Sequence, residues 1–408
     1  QTKMKTFLES IFLKNSIKSL IIVTGASLLF SSCAGNKLEK QIDFALNRSV
    51  NQYSYMMKQL PENRYPKTYF ADKQKFETSK SDWWCSGFYP GTLIYLDESA
   101  KKPVFEKEIN RVFQDLKKEQ FNKTTHDLGF MMFCSFGNAN RLNPTPEYAE
   151  ILMNSAKSLA SRFDEKVGCI KSWDAKDDSY LVIIDNMMNL ELLFWASEYS
   201  GDKSYYDIAV KHANTTLKNH FRPDFSSYHV INYNSKTGEI KQKKTAQGYA
   251  DESAWARGQS WGLYGYTVMY RATKDKKYLD QAVAIAEFIL NHPNLPKDKV
   301  PYWDFNAPNI PDALRDSSAG AVIASALLEL ENYVDKTHSK KYAAAAKTII
   351  QTLSSKEYLA EEGTNGGFIL KHGVGHIPQK TEIDVPLTYG DYYFVEAMLR
   401  YKKQQTKH

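Results

Sequence analysis

The sequence contains little cysteine, and its cysteines are not spaced as a cross-linking framework. Four occur among 408 residues. Cys33 follows two serines after an apolar run, which leaves Cys85, Cys134 and Cys169 in the body of the chain. Three cysteines at these spacings match neither a disulfide framework nor a zinc site. We therefore predict no metal and no cofactor.

The chain also has little net charge of either sign. The formal charge is +6, and residues 1–32 contribute four lysines and one glutamate, which is half of it. The remaining charge of about +3 is too small for electrostatic binding of a nucleic acid backbone. With 42% apolar and 25% charged residues, the composition is that of a globular protein with a large core.

Long apolar runs are restricted to the beginning of the chain. Lysines precede an apolar segment at 20–30, and Ser31-Ser32-Cys33 follows it. This pattern predicts a lipoprotein signal peptide over 1–32, with lipid attached to Cys33. A short tether at 33–40 and a single catalytic domain over 41–408 complete the predicted organisation. We expect the protein in the periplasm or on the cell surface, with membrane contact only through the lipid; the oligomeric state stays open.

No Ser/Gly/Pro-rich linker interrupts the body, and helical periodicity dominates it. Helices are predicted at 41–60, 86–98, 103–120, 127–141, 146–163, 185–199, 203–220, 258–273, 276–291, 316–334, 339–354 and 388–402. Similar short joints at 200–205, 273–278 and 337–342 connect helical hairpins, and long aromatic loops connect one hairpin to the next. Six such hairpins predict an all-α fold, an (α/α)6 barrel of six inner and six outer helices.

In this arrangement the long loops place the N-termini of all inner helices at one mouth. The corresponding segments are 83–87, 126–127, 185–186, 257–261, 316–318 and 390–393, and four of the six contain aspartate. Asp127 and Asp185 would face each other there as a carboxylate pair suited to acid–base chemistry on a sugar. The alternative is that both aspartates only cap their helices. Arg257, flanked by tryptophan and glycine, is the strongest candidate for binding a substrate carboxylate.

Several of these segments resemble the unsaturated glucuronyl hydrolases, glycoside hydrolase family 88. The resemblance rests on residues 126–130, 185–189, 228–229 and 247–266, and it is most specific over 255–266. It implies a hydrolase that removes the 4,5-unsaturated uronic acid from the non-reducing end of lyase-generated glycosaminoglycan di- and oligosaccharides. It also implies that the reaction hydrates the C4=C5 vinyl ether and does not displace the glycosidic bond directly.

The resemblance further implies roles for individual residues. Asp185 matches the proton donor and Asp127 the second essential carboxylate. The positions that match substrate contacts are His126, His229, Gln247, Arg257 and Trp261, with Trp84 and Trp173 stacking on sugars. Tyr89 stands where many members have tryptophan, which predicts weaker stacking at that position.

Three other functions are compatible with the same residues. An unsaturated rhamnogalacturonyl hydrolase acting on pectin fragments would share the fold and the chemistry. An ordinary inverting glycosidase would need the two carboxyl groups about 6.5–9.5 Å apart. A helical repeat that binds glycans or proteins would gain nothing from carboxylates that meet tryptophan and arginine at one mouth.

Overall fold

The computed structural model describes residues 37–406, and the chain divides into two compact units, 1–44 and 45–408. Of the first unit only 37–44 are described, and they are helical. The predicted signal peptide, Cys33 and most of the tether lie outside the described residues. Over 37–406, no helix is both long enough and apolar enough to cross a membrane.

Apart from short 3-10 turns at 71–73, 117–121 and 365–367, the described part of the second unit contains twelve helices, close to the predicted ones. They are α1 (45–56), α2 (Phe88–Ala100), α3 (Glu106–Leu116), α4 (π-helical Gly129–Gly137 continuing as Asn138–Leu142), α5 (Pro146–Ala160), α6 (3-10 helical Ile184–Asn189 continuing as Leu190–Ser200), α7 (Lys203–Asn219), α8 (Ala256–Thr273), α9 (Lys276–Asn291), α10 (Ser317–Leu330), α11 (Lys336–Leu353) and α12 (Thr388–Gln405).

Six of these helices form a closed inner ring. Around the ring, α2 packs against α4, α4 against α6, α6 against α8, α8 against α10, α10 against α12, and α12 against α2. These helices are apolar or small on nearly every side, and α10 buries almost its whole length. A helix without a polar face must be surrounded by other helices. The ring is therefore the inner layer of the predicted (α/α)6 barrel.

The other six helices are amphipathic and cover the ring from outside. Each of α3, α5, α7, α9 and α11 packs against the inner helix that precedes it. The short joints end in aspartates whose side chains accept a hydrogen bond from the first turn of the outer helix: Asp202 for α7, Asp275 for α9 and Asp335 for α11. Such caps make the joints recognisable in the sequence, because the bond forms within three residues.

Nine short strands lie in the long loops that precede the inner helices. They are β1 (Tyr65–Phe70), β2 (Lys75–Ser79), β3 (Phe163–Asp164), β4 (Cys169–Ile170), β5 (Ser179–Ile183), β6 (Val230–Asn234), β7 (Ile240–Lys244), β8 (Gly373–His376) and β9 (Thr381–Val385). They form antiparallel pairs β1–β2, β3–β4 and β8–β9, and a three-stranded sheet ordered β5-β6-β7. The loops are thus folded structures that hold side chains in place at the mouth.

The prediction for Tyr89 is wrong. Its ring is buried and stacks on Tyr53 of α1, with centroids 5.9 Å apart, and its hydroxyl donates to Glu108 of α3. Tyr89 therefore belongs to the packing between inner and outer helices, and its identity has no bearing on sugar stacking.

Candidate active site

Aromatic side chains from four inner helices meet where these helices begin. Trp84, just before α2, packs on Tyr389 of α12 and Phe130 of α4, with ring centroids 4.9 and 5.5 Å apart. Phe130 packs in turn on Trp261 of α8 at 5.1 Å. Trp83 points away and is 39% exposed, whereas Trp84 is half-buried. The inner helix N-termini therefore converge at one mouth, as predicted.

Asp185 is positioned by the strand that leads into α6. The strand β5 pairs with β6, and Ile183 lies opposite Val230. The chain turns immediately after Ile183, which places Asp185 beside His229 at the start of β6. Asp185 Oδ2 lies 3.5 Å from His229 Nε2, and Asp185 is 7% exposed. A carboxylate on a short helical turn after a paired strand has little freedom to move.

The hydrogen bonds of His229 define which ring nitrogen carries the proton. Its Nδ1 accepts from the backbone N–H groups of Ala246 and Gln247 at 3.1 and 3.2 Å. In a neutral imidazole the other nitrogen is then the donor. The Nε2–H of His229 therefore points toward Asp185. The same two bonds attach the loop after β7 to the site, so Gln247 is brought to the mouth by His229.

Asp127 precedes α4 and is held by its neighbours in sequence and by α6. Thr125 Oγ1 donates to Asp127 Oδ2 at 3.0 Å, and His126 Nε2 lies 3.3 Å from Oδ1. Asn189 of α6 lies next to the Asp127 side chain, and its Oδ1 accepts a hydrogen bond from the Phe130 N–H. The helix that carries Asp185 is thus also bonded to the first turn of α4, next to Asp127.

Burial raises the pKa of Asp127 above its ordinary value, and the charge of Asp185 raises it further, while His126 opposes the shift. The effect of Asp185 on Asp127 shows that the two side chains lie within electrostatic reach of each other in a mostly buried site. The paired arrangement expected from the sequence is therefore present.

Helix capping explains neither aspartate. The residues at the cap positions are Leu128 for α4 and Ile183 for α6, and neither helix start has a side-chain cap. Among the described residues, Asp185 Oδ2 has no hydrogen-bond partner. Asp316, in contrast, caps α10 by accepting from the Ser318 N–H, as expected for an aspartate followed by two serines.

Arg257 lies at the mouth, but the protein itself binds much of its guanidinium. Nη1 contacts Asp316 Oδ2 at 3.2 Å and the Val374 carbonyl, and Nη2 donates to the Gly375 carbonyl at 2.9 Å. The guanidinium carbon lies 4.5 Å from the ring centre of Trp255. Within the described part of the chain, the Nε–H has no partner. The expected two-pronged grip on a carboxylate would therefore require these bonds to rearrange.

The remaining predicted residues lie around the same mouth. Gln247 donates to the Gly375 carbonyl at 3.2 Å, which links it to Arg257. Trp173 is half-buried, and its ring meets the His229 ring edge-on at 6.0 Å. Trp261 is fully buried, and its indole N–H is unpartnered over residues 37–406, as is His126 Nδ1.

Three residues at the mouth were missed by the sequence reasoning. Asn189 bridges the two aspartates' helices, and Tyr389 packs on Trp84 with its ring centre 5.1 Å from the Arg257 guanidinium. Glu382 of β9 lies against Gly375, and burial raises its pKa. Asn189 stands one helical turn after Asp185, and Tyr389 immediately precedes the segment 390–393, so both lie next to segments already singled out. Glu382 carries no such signal.

Asp391, which also lies near an inner helix start, is not at the mouth. It is fully buried and accepts from the N–H groups of Ile369 and Leu370 and from the Tyr53 hydroxyl. It joins α12 to α1 and to the loop before β8.

Known proteins resemble the chain over nearly its whole length. An unsaturated glucuronyl hydrolase from Formosa agariphila is 43% identical over 390 residues, which covers 93% of this chain and 97% of that protein. An unsaturated chondroitin disaccharide hydrolase from Streptococcus pneumoniae is 34% identical, covering 78% and 82%. The crystal structure of a heparin-specific unsaturated glucuronyl hydrolase superimposes with a TM-score of 0.87 at 45% identity, covering 90% and 98%. No family model matches the chain.

The identity to the Formosa protein and the shared barrel agree with the resemblance read from residues 126–130, 185–189 and 247–266. The chain therefore belongs to the unsaturated glucuronyl hydrolases of glycoside hydrolase family 88, and it is a glycoside hydrolase.

Proposed function

We propose that this protein removes the 4,5-unsaturated uronic acid from the non-reducing end of glycosaminoglycan di- and oligosaccharides produced by lyases. The observation that carries the proposal is the pair formed by Asp127 and Asp185, which are mostly buried, not used as helix caps, and surrounded by His229, Arg257 and tryptophans. The names of the relatives, one for glucuronyl substrates, one for chondroitin disaccharides and one for heparin, support the substrate class.

In the proposed reaction, Asp185 acts as acid and then as base. Its carboxylic proton is transferred to C4, and water adds at C5 while giving a proton back to Asp185. The resulting C5 hemiketal opens to a ketone, with the ring oxygen becoming a hydroxyl on C1. That C1 hemiacetal breaks down to an aldehyde and releases the remaining sugar. The sum is one water consumed and one glycosidic bond broken, with Asp185 regenerated.

The other residues have supporting roles in this proposal. Asp127 binds sugar hydroxyls beside the reacting double bond. The Nε2–H of His229 holds the ionised form of Asp185 in place. Arg257 and Gln247, joined through the Gly375 carbonyl, bind the polar groups of the uronate. Trp84 and Trp173 give the sugar apolar faces, Trp261 packs behind them on Phe130, and His126 orients Asp127.

The alternative substrate, an unsaturated rhamnogalacturonide from pectin, would use the same chemistry. The relatives named above favour the glycosaminoglycan substrate. An inverting glycosidase with the same carboxylates would leave the double bond of the uronate intact, which an absorbance measurement detects.

The test uses lyase-generated disaccharides of chondroitin, hyaluronan, heparin and pectin with the purified protein. We expect the ultraviolet absorbance of the conjugated alkene to disappear with at least one glycosaminoglycan disaccharide and to persist with the pectin product. Loss with pectin alone would favour the alternative. Absence of any loss, with a correctly folded protein, would refute the vinyl-ether mechanism.

We also propose that residues 1–32 are a lipoprotein signal peptide and that lipid is attached to Cys33, which would anchor the enzyme in the periplasm or on the cell surface. The proposal is supported by the lysines, the apolar run and Ser31-Ser32-Cys33. Incorporation of a labelled fatty acid in wild-type cells, and its loss in Cys33→Ala, is the expected result.

A further inference from the structure

The three-stranded sheet next to Asp185 has two different faces. On one face, Tyr180, Val182, Ile231 and Tyr233 form an apolar cluster with Cys169 of β4. Cys169 in turn lies against α7, so this face covers the barrel. Because side chains alternate along a strand, the intervening residues project from the opposite face.

The opposite face carries a row of side chains that begins at the candidate active site. Trp173 forms a bridge with Leu181, Leu181 lies opposite Asn232, and Asn232 lies opposite Gln242. Cross-strand partners share a face, so these side chains stand side by side. Trp173 contacts His229, the partner of Asp185. The row is therefore continuous with the catalytic pair and extends away from it over three strand spacings, about 14 Å.

The two members of the row farthest from Trp173, Asn232 and Gln242, are polar, and one buried atom of Asn232 lacks a hydrogen bond. Asn232 is 9% exposed, and its Nδ2 donates to Ser179 Oγ at 3.1 Å. Its Oδ1 has no hydrogen-bond partner in the part of the chain that the structure describes. A buried amide oxygen without a partner is costly unless a ligand or water completes it.

A lysine stands next to this row on the same face. Lys244 lies opposite Val230. Val230 precedes Asn232 by two residues in β6, so both pairs project from the same face. The neighbouring lysines of β7 already have partners within the protein. Lys241 forms an ion pair with Asp178, and Lys243 donates to the Asn219 carbonyl. None of the ion pairs found over residues 37–406 includes Lys244. Its charge is therefore available at the rim, three residues before Gln247.

We propose that this outer face, defined by Trp173, Asn232, Gln242 and Lys244, binds the sugars on the reducing side of the scissile bond, with Lys244 contacting an anionic group on them. The proposal rests on the proposed function, and it assigns these residues to substrate selection and not to the chemical step. Glycosaminoglycan fragments carry such anionic groups as a carboxylate on the third sugar or a sulfate on the second. The ammonium group of lysine is a compact positive charge that can pair with a carboxylate or with a sulfate.

The experiment compares Lys244→Ala with wild type on three substrates: an unsulfated chondroitin disaccharide, the corresponding unsulfated tetrasaccharide, and a sulfated disaccharide. We expect an unchanged kcat and a KM that rises about three- to fivefold, the upper part of the range for loss of an exposed ion pair. The rise should occur with the tetrasaccharide if the group is a carboxylate, and with the sulfated disaccharide if it is a sulfate. The KM for the unsulfated disaccharide should change less than about twofold.

Lys243→Ala is the matched control, because it removes the same charge from the opposite face of the same strand. Its ratio of tetrasaccharide to disaccharide KM should equal that of wild type. Asn232→Asp, which places a negative charge in the row, should raise KM for the same substrate as Lys244→Ala. If wild type turns over all three substrates and Lys244→Ala matches it on each, the proposed face is wrong although the proposed function stands. If wild type turns over none, the proposed function itself fails.

Discussion

At the scale of single residues, the surroundings of Asp127 and Asp185 differ although their sequence positions are alike. Asp127 has two polar partners, Thr125 and His126, whereas Asp185 Oδ2 has no hydrogen-bond partner among residues 37–406 and lies 3.5 Å from His229 Nε2. A proton donor must keep an oxygen accessible to the reacting carbon, and a positioning carboxylate gains from being held. The difference in partners therefore agrees with Asp185 as donor and Asp127 as its support.

Replacement of Asp185 by asparagine should abolish turnover without unfolding the protein. The amide preserves the shape and cannot transfer the proton, so we expect kcat to fall about 10²–10⁴-fold. Calorimetric binding of an unsaturated disaccharide should persist. Asp202→Asn is the control, because Asp202 is an exposed cap and asparagine caps equally well. An Asp185→Asn enzyme with more than a tenth of wild-type kcat would contradict the assignment.

At the scale of elements, the spacing between α4 and α6 sets the distance between the two carboxylates. A Cβ added to Gly129 would lie 2.4 Å from the Asn189 Cα, so only glycine allows this approach. The π-helical start of α4 also lies here. Such irregular helical turns often occur at functional sites. The backbone geometry of both helices thus serves the contact through Asn189.

Gly129→Ala should separate α4 from α6 and reduce both activity and stability. We expect a loss of about 1–3 kcal/mol in the free energy of unfolding, since neither backbone can yield cheaply. The activity should fall because Asn189 would no longer accept from the Phe130 N–H, so the start of α4, which carries Asp127, would shift relative to Asp185. Gly262→Ala in α8 is the control, with the nearest atoms at 3.5 Å. The measurements are thermal unfolding and kcat of both variants. If Gly129→Ala were as stable and as active as Gly262→Ala, the close approach of α4 to α6 would be unimportant.

At the scale of the whole barrel, the ring is closed by contacts between the two ends of the second unit. The Tyr53 hydroxyl of α1 donates to Asp391 of α12, and the Gln52 side chain of α1 donates to the Phe368 carbonyl. Burial raises the pKa of Asp391 to about 7, although three donors favour its ionised form. In the unfolded chain the pKa of an aspartate is about 3.9. Between these two values the folded protein holds the extra proton.

The free energy of unfolding should therefore fall as the pH rises from 4 through 7, by at most about 4 kcal/mol from this group. Denaturant unfolding at pH 5 and pH 8 measures the difference. Asp391→Asn, which cannot ionise, should show a smaller decrease than wild type. Asp178→Asn is the control, because pairing with Lys241 lowers the pKa of Asp178 and confines its contribution to acid pH. An equal decrease in wild type and Asp391→Asn would refute the prediction.

The sequence alone determined the helices, their order and the mouth. Periodicity and the caps at Asp202, Asp275 and Asp335 are local signals, so the boundaries of the helices could be predicted within a few residues. The distribution of polar and apolar faces then decided which helices are inner. The same local segments carry the family resemblance.

Only the tertiary structure decided which partners each side chain has. The contact of His229 with Asp185 depends on the register of β6 against β5, and the bonds of Arg257 depend on carbonyls of β8 more than a hundred residues away. Likewise, capping was locally plausible for Asp127, Asp185 and Asp316, and of these three only Asp316 caps its helix. A polar group bonds whichever partner the packed backbone brings within about 3 Å, and that geometry is not encoded in neighbouring residues.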